Sequence, residues 1–122
     1  MGERFRMKQP DAGNREKNYL HTFEEETDSV RAWVWNQKLL GGLAVYLRFS
    51  PQELPYLTQW MLENARDYVT ALEPANVPCL PRSELRAQGL LPMLEPGKTR
   101  QHHLEIGVIQ GNEHIRSQIE QE

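Results

Sequence analysis

The 122-residue chain has one cysteine, Cys79, so no internal disulfide can form. Four histidines beside a lone thiol fit no zinc framework, and no metal is expected. Excess charge of one sign is missing too. Fourteen Lys and Arg against 17 Asp and Glu leave a net charge of −3, which argues against a binder dominated by nucleic-acid phosphates. Long apolar runs are absent. The longest, residues 39–47, contains two glycines and is about half the length a membrane helix needs. The amino-terminal MGERFRMKQP has no apolar stretch behind it, so no secretory signal is read. Arg6 stands where a myristoylation pattern requires Ser or Thr. These absences predict a soluble cytoplasmic protein with neither nucleic acid nor membrane as partner.

What is present suits a folded domain. Hydrophobic residues are 39% and charged residues 25%, an ordinary globular balance. The length fits one domain or a piece of a larger one. Residues 1–18 carry many charges and few large apolar groups and read as an irregular arm. From Tyr19 the pattern alternates with period two. Strands are expected over residues 19–23, 30–35, 43–49, 56–62, 68–72 and 102–109, separated by turn residues. Gly41-Gly42 marks a turn between the second and third runs. Glu95-Pro96-Gly97-Lys98 has the residues of a type II turn. Pro74, Pro78 and Pro81 are expected to keep regular elements out of their stretch. Ser83 is a candidate cap for a short helix ended by Gly89. In the tail, residues 112–122, Asn112 caps a marginal helix whose apolar stripe is only Ile115 and Ile119. The expected fold class is all-β: an antiparallel β-sandwich over residues 19–111 with one or two short helices.

Burial follows from the same alternation. Leu43, Val45, Leu47 and Phe49 are expected to be buried on one strand face, as are Leu104, Ile106 and Val108. Trp33 and Trp35 are read as core residues, with sugar stacking as the alternative. His102-His103 is not a metal pair, because neighbours on a strand point to opposite faces. Cys79 has no nearby cation to activate it and reads as inert.

Three segments in order, LPYLTQWM (54–61), YVTALEPAN (68–76) and LPMLEPGKTRQHHLEIGVIQG (91–111), resemble the C-terminal part of aldose 1-epimerase, galactose mutarotase-like proteins. The branch is one often catalogued as a domain of unknown function. The likeness extends back to MKQPDAGNREKNYLHTF (7–23), covering most of this chain and less than half of a typical member. It implies part of a β-supersandwich that binds a sugar in a cleft, needs no cofactor, and interconverts sugar anomers by acid–base catalysis. That reaction needs a base for the anomeric hydroxyl proton and an acid for the ring oxygen. Activity is not assured, because the family's acid-catalytic histidines are expected upstream of these residues. A truncated form is therefore expected, with a non-catalytic carbohydrate-binding or assembly module completed by a partner chain as the alternative.

Candidate site residues follow from that likeness. Glu73 in LEPAN looks like the position of the family's general base; its own pattern favours a solvated carboxylate at a strand end, and the resemblance brings the two readings level. His21 is a weaker acid–base candidate, or a histidine hydrogen-bonded within the sheet. Trp60 and Tyr56 share a strand face and are candidates for stacking a sugar, and Asn76 for bonding a hydroxyl. If Glu73 is the base, it should lie on the wall or floor of a concave polar pocket with Trp60 or Tyr56 near the rim. A piece of a sandwich should also leave an open edge and an uncovered apolar face. Self-association or a complementing chain is expected there, around residues 30–35 or 56–62.

Overall fold

The computed structural model describes residues 6–120. Six strands form in chain order: β1 (Lys17–Thr22), β2 (Val30–Asn36), β3 (Leu43–Phe49), β4 (Tyr56–Glu63), β5 (Tyr68–Ala75) and β6 (Leu104–Gln110). Helix α1 (Arg82–Ala87) precedes β6, and α2 (Asn112–Ile119) follows it. The strands make two antiparallel sheets of three, ordered β1-β4-β5 and β2-β3-β6. The fold is all-β and sandwich-like, with two short helices.

Register decides which residues meet. In the first sheet Tyr19, His21, Leu57, Gln59, Met61 and Leu72 share the inner face, and Leu20, Tyr56, Thr58, Trp60, Ala71 and Glu73 the outer one. In the second sheet Val30, Ala32, Leu47 and Phe49 are on one face, and Arg31, Trp33, Tyr46 and Arg48 on the other. The core forms where the inner faces meet. Phe49, Leu54 and Leu57 are buried, and Phe23, Val30, Ala32 and Leu72 pack around them. Phe23 meets Phe49 edge to face, ring centroids 5.8 Å apart. Each fully buried apolar side chain of this kind contributes about 1.5–3 kcal/mol.

The expected burial of β3 and β6 is corrected. Both are strands, but Val45 is 39% exposed and Leu104, Ile106 and Val108 are 47%, 65% and 64% exposed. The core lies at the Phe49 end of that face, and the first sheet does not extend over the rest. Ala44, on the opposite face, is completely buried instead. Helix α2 packs there against β3 and β6, with its Ile115 also at 0% exposure.

Local ends differ from expectation as well. Strand β6 starts at Leu104, so His102 and His103 precede it. Strand β5 continues through Pro74 to Ala75, which is possible because β5 is an edge strand and a missing N–H costs no ladder bond on its open side. Helix α1 starts one residue before Ser83, its cap position being Pro81. Gly89 does follow the helix with positive φ, +69°. In α2 the cap position is Gly111, and Asn112 has another task. Its Oδ1 accepts from Trp35 Nε1 at 3.0 Å, and its Nδ2 donates to the Gln37 carbonyl at 3.0 Å. The 95–98 turn forms as read, with Lys98 N–H donating to Glu95 O at 3.0 Å and Gly97 at φ +73°.

Candidate active site on the outer face of the first sheet

Glu73 lies inside β5, directly across from Thr58 of β4. Its side chain is therefore aimed outward, away from the Phe49–Leu57 core. The chain leaving β5 bends back over this spot, because Pro78 and Pro81 break regular structure. Thr58 becomes 4% exposed although it is on an outer face, and Pro78 is buried. The result is a cavity of about 440 Å³, walled by Thr58, Glu73, Ala75 and the 77–81 segment. Glu73 itself is exposed at its edge. Most of the wall is apolar (Val77, Pro78, Leu80), so the expected polar pocket is corrected to an apolar one bearing one carboxylate and one hydroxyl.

Trp60 and Tyr56 flank Thr58 on the same face of β4, both half-buried. The Trp60 indole N–H donates to Glu16 Oε2 at 3.1 Å. That bond occupies the ring's polar edge and holds its orientation while the ring remains on the Glu73 face. Asn76 lies in the bend just after β5, half-buried, and is not among the residues walling the cavity. Cys79 is exposed and lines the cavity.

His21 is on the other side of the sheet. Its Nε2 lies 3.1 Å from Gln59 Oε1, on the inner face, paired in register with Leu57. A β-sheet's thickness separates it from Glu73, so these two candidates do not meet. Among the described residues no hydrogen bond or ion pair engages the Glu73 carboxylate, and no group of three or more His, Cys, Asp or Glu could hold a metal ion. No helix among the described residues is long and apolar enough to cross a membrane.

Residues 1–108 match the model of a family described as a domain of unknown function, DUF4432. The chain belongs to that family. No curated protein and no solved structure matches it.

A second polar cluster lies on the outer face of β2-β3-β6, and single-strand patterns did not reveal it. Arg31, Arg48 and Glu105 stand in one cross-strand row, with Trp33, Tyr46 and Gly107 in the next. Arg48 is salt-bridged to Glu105 Oε2, while the Tyr46 hydroxyl donates to Oε1 at 2.8 Å. Hydrogen bonds from Arg48, then from Tyr46, hold the Glu105 carboxyl below its ordinary pKa. The same contact with Glu105 pushes the Tyr46 phenol up. Reading these residues as a group requires the β3–β6 pairing, which joins positions far apart in the chain. At the same end, the His103 main-chain N–H donates to Glu53 Oε2 at 2.6 Å, and its Nδ1 lies 2.9 Å from Oε1.

Proposed function

We propose that this protein is an aldose 1-epimerase-like, sugar-binding β-sandwich in which Glu73 accepts the anomeric hydroxyl proton. The observation that carries the reading is the position of Glu73: at the edge of a cavity, on one sheet face with Trp60 and Tyr56. A pyranose could place its apolar face on the Trp60 ring and its anomeric hydroxyl toward the carboxylate. The resemblance carried by LTQWM and LEPAN supports the same assignment. The isomerisation needs no cofactor in this scheme: Glu73 takes the anomeric hydroxyl proton as the bond from C1 to the ring oxygen breaks and that oxygen gains a proton from solvent or an acid, the open-chain aldehyde turns about C1–C2, and the reverse transfers close the ring on the other face.

Exchange between α- and β-anomers, followed by NMR with glucose and galactose, tests the proposal. The chain should accelerate exchange over buffer, and Glu73→Gln should cut that acceleration at least about 100-fold, the usual worth of a general base. Equal acceleration by both forms would remove Glu73 from the mechanism.

The second reading is a non-catalytic carbohydrate-binding or assembly module. Its supporting observation is the placement of His21 on the inner face, which leaves Glu73 with no described histidine as acid partner. Sugar binding without faster anomer exchange is the outcome that favours it. In that reading a second copy or a complementing chain covers exposed apolar surface. The exposed stripe is Val45, Leu104, Ile106 and Val108 on β3 and β6, whereas the surface expected from the sequence is residues 30–35 or 56–62, which are half-buried and half-buried to buried, respectively. Sedimentation equilibrium at micromolar concentration should then report species heavier than 14.2 kDa. A compact monomer that unfolds cooperatively would remove the association.

A further inference from the structure

Thr58 lies in the middle of β4, the central strand of its sheet, and its side chain stands on the outer face. Outer-face residues are normally wet, yet beneath the 77–81 bend Thr58 is only 4% exposed. Among the described residues no hydrogen bond engages its hydroxyl. Buried hydroxyls are nearly always paired, because giving up water without a replacement partner is unfavourable. Thr58 walls the cavity of about 440 Å³, so a group bound in that cavity can supply the missing partner.

The rest of the wall offers little to a polar ligand. Ala75, Val77, Pro78, Leu80 and Pro81 have no polar side-chain atoms, and a thiol such as that of Cys79 is a weak hydrogen-bonding group. Pro78 and Pro81 also lack a main-chain N–H. The Leu80 N–H is already used, donating to the Pro78 carbonyl at 2.8 Å. A sugar hydroxyl pushed against this wall would lose water and find no partner beyond Thr58. A small apolar group with a single acceptor suits the space better.

Register says where on a sugar such a group would be. Thr58 and Glu73 are directly opposite one another, which places their Cβ atoms about 5 Å apart. On one side of this pair is the Trp60–Ala71 row, and on the other the Tyr56–Ala75 row. Ala75 walls the cavity, whereas Ala71 and Trp60 do not. A ring stacked on Trp60 with its anomeric carbon at Glu73 therefore directs the neighbouring substituent, the one on C2, past Glu73 toward Thr58.

We propose that the cavity receives a 2-acetamido group, making the substrate class a 2-acetamido-2-deoxyhexose. The Thr58 hydroxyl donates to the acetamido carbonyl, and the methyl packs against Val77, Pro78 and Leu80. The amide N–H, attached to C2, stays at the mouth beside the exposed Glu73 carboxylate, which is an acceptor. The assignment rests on Glu73 meeting the anomeric hydroxyl, and it adds Thr58 as the residue that selects the C2 substituent.

The test is an NMR titration of the chain with N-acetylglucosamine, N-acetylgalactosamine, glucose, galactose and 2-deoxyglucose, following the Thr58 and Cys79 amides. At least one acetamido sugar should shift them saturably and bind at least tenfold tighter than its parent hexose, with 2-deoxyglucose no tighter than glucose. Thr58→Val keeps the shape and removes the hydroxyl, so it should cut that preference at least fivefold. Circular dichroism establishes that the variant is folded. If it is not, saturation transfer from the parent chain decides, and the acetamido methyl should take up more saturation than any other ligand proton. Parent hexoses binding as tightly as both acetamido sugars, no saturable shift by either acetamido sugar, a folded Thr58→Val with its preference intact, or a methyl that takes up no saturation would each overturn the assignment. Anomer exchange, measured separately, keeps the two failures apart. Faster glucose exchange without an acetamido preference retains Glu73 as base and sinks the acetamido pocket. Acetamido binding without faster exchange retains the pocket and removes the base.

Discussion

Gly42→Ala should lower the unfolding free energy by about 3–5 kcal/mol, while Gly41→Ala costs only about 1–2. The two glycines are adjacent and both have positive φ, +74° at Gly41 and +112° at Gly42. Nothing lies within 4 Å of a Cβ built on Gly41, so alanine there meets only the intrinsic penalty of left-handed backbone. At Gly42 the added carbon would lie 2.2 Å from Asn112 Oδ1 and 2.7 Å from the Asn112 main-chain nitrogen. One of those atoms is backbone at the start of α2 and has no rotamer to yield.

Displacing Asn112 would also break its bonds to Trp35 and Gln37, each worth about 1 kcal/mol. The Gly111 N–H to Gly42 carbonyl bond, 2.8 Å, joins the same two segments. Urea denaturation of the two alanine variants measures the difference directly. Equal losses would mean that α2 adjusts freely and that the Asn112 contact does not hold the helix to the β2–β3 turn.

The same contact explains what the sequence could and could not convey. The dipeptide at 41–42 announces a turn through composition alone, and the runs on either side announce strands by alternation. Whether a face is buried depends on what covers it, and cover comes from remote segments. Leu43, Val45, Leu47 and Phe49 look equivalent along β3. Only Phe49 is fully buried, at 3%, because Leu54 and Leu57 reach that end alone. Ala44 carries no pattern signal and is nevertheless fully buried beneath α2, a helix that looked marginal when judged by its own two isoleucines.

The candidate site divides in the same way. LEPAN and TQW drew attention to Glu73 and Trp60 by resemblance, and alternation put Trp60, Tyr56 and Thr58 on one face. The β4–β5 register was needed to bring Glu73 onto that face, and to put His21 on the other. The bend that walls the cavity was readable only as a proline-rich interruption. Arg31 and Arg48 are 17 positions apart in sequence and each sits in an ordinary alternating run. Their juxtaposition exists only in the hairpin.

The amino-terminal segment reads as an irregular arm for want of apolar residues, and its described residues 6–16 are irregular, yet they are tied to a buried carboxylate. Glu63 is 2% exposed at the end of β4. Its Oε1 accepts the Lys8 main-chain N–H, and its Oε2 lies 3.6 Å from the Lys17 ammonium. Its own carbonyl accepts from Asp11 N–H at 3.1 Å and from Asn14 Nδ2 at 3.0 Å. The Tyr68 hydroxyl donates to the Lys8 carbonyl at 2.7 Å, closing the clamp from β5. Burial, then the nearby Glu63 charge, pushes the Tyr68 phenol above its ordinary pKa.

A buried carboxylate is tolerated only while its partners hold it, and removing one member of such a set costs several kcal/mol. Glu63→Ala should therefore destabilise the protein by about 2–4 kcal/mol, because it removes the acceptor of the Lys8 main-chain N–H and breaks the Glu63–Lys17 ion pair. Glu63→Gln keeps an acceptor oxygen and should cost about half as much. Because the main-chain bonds from Glu63 to Asp11 and Asn14 survive both changes, the damage should begin at Lys8. Amide exchange at Lys8 should rise in Glu63→Ala well before exchange in β4 does, and trypsin should cut after Lys8 faster than in the parent. The Tyr68 phenol should also titrate closer to its ordinary value in Glu63→Gln, since one cause of its upward shift is gone. Unchanged exchange at Lys8 together with unchanged stability would show that the arm is held by its backbone bonds alone, and that the Glu63 carboxylate is not what fastens it.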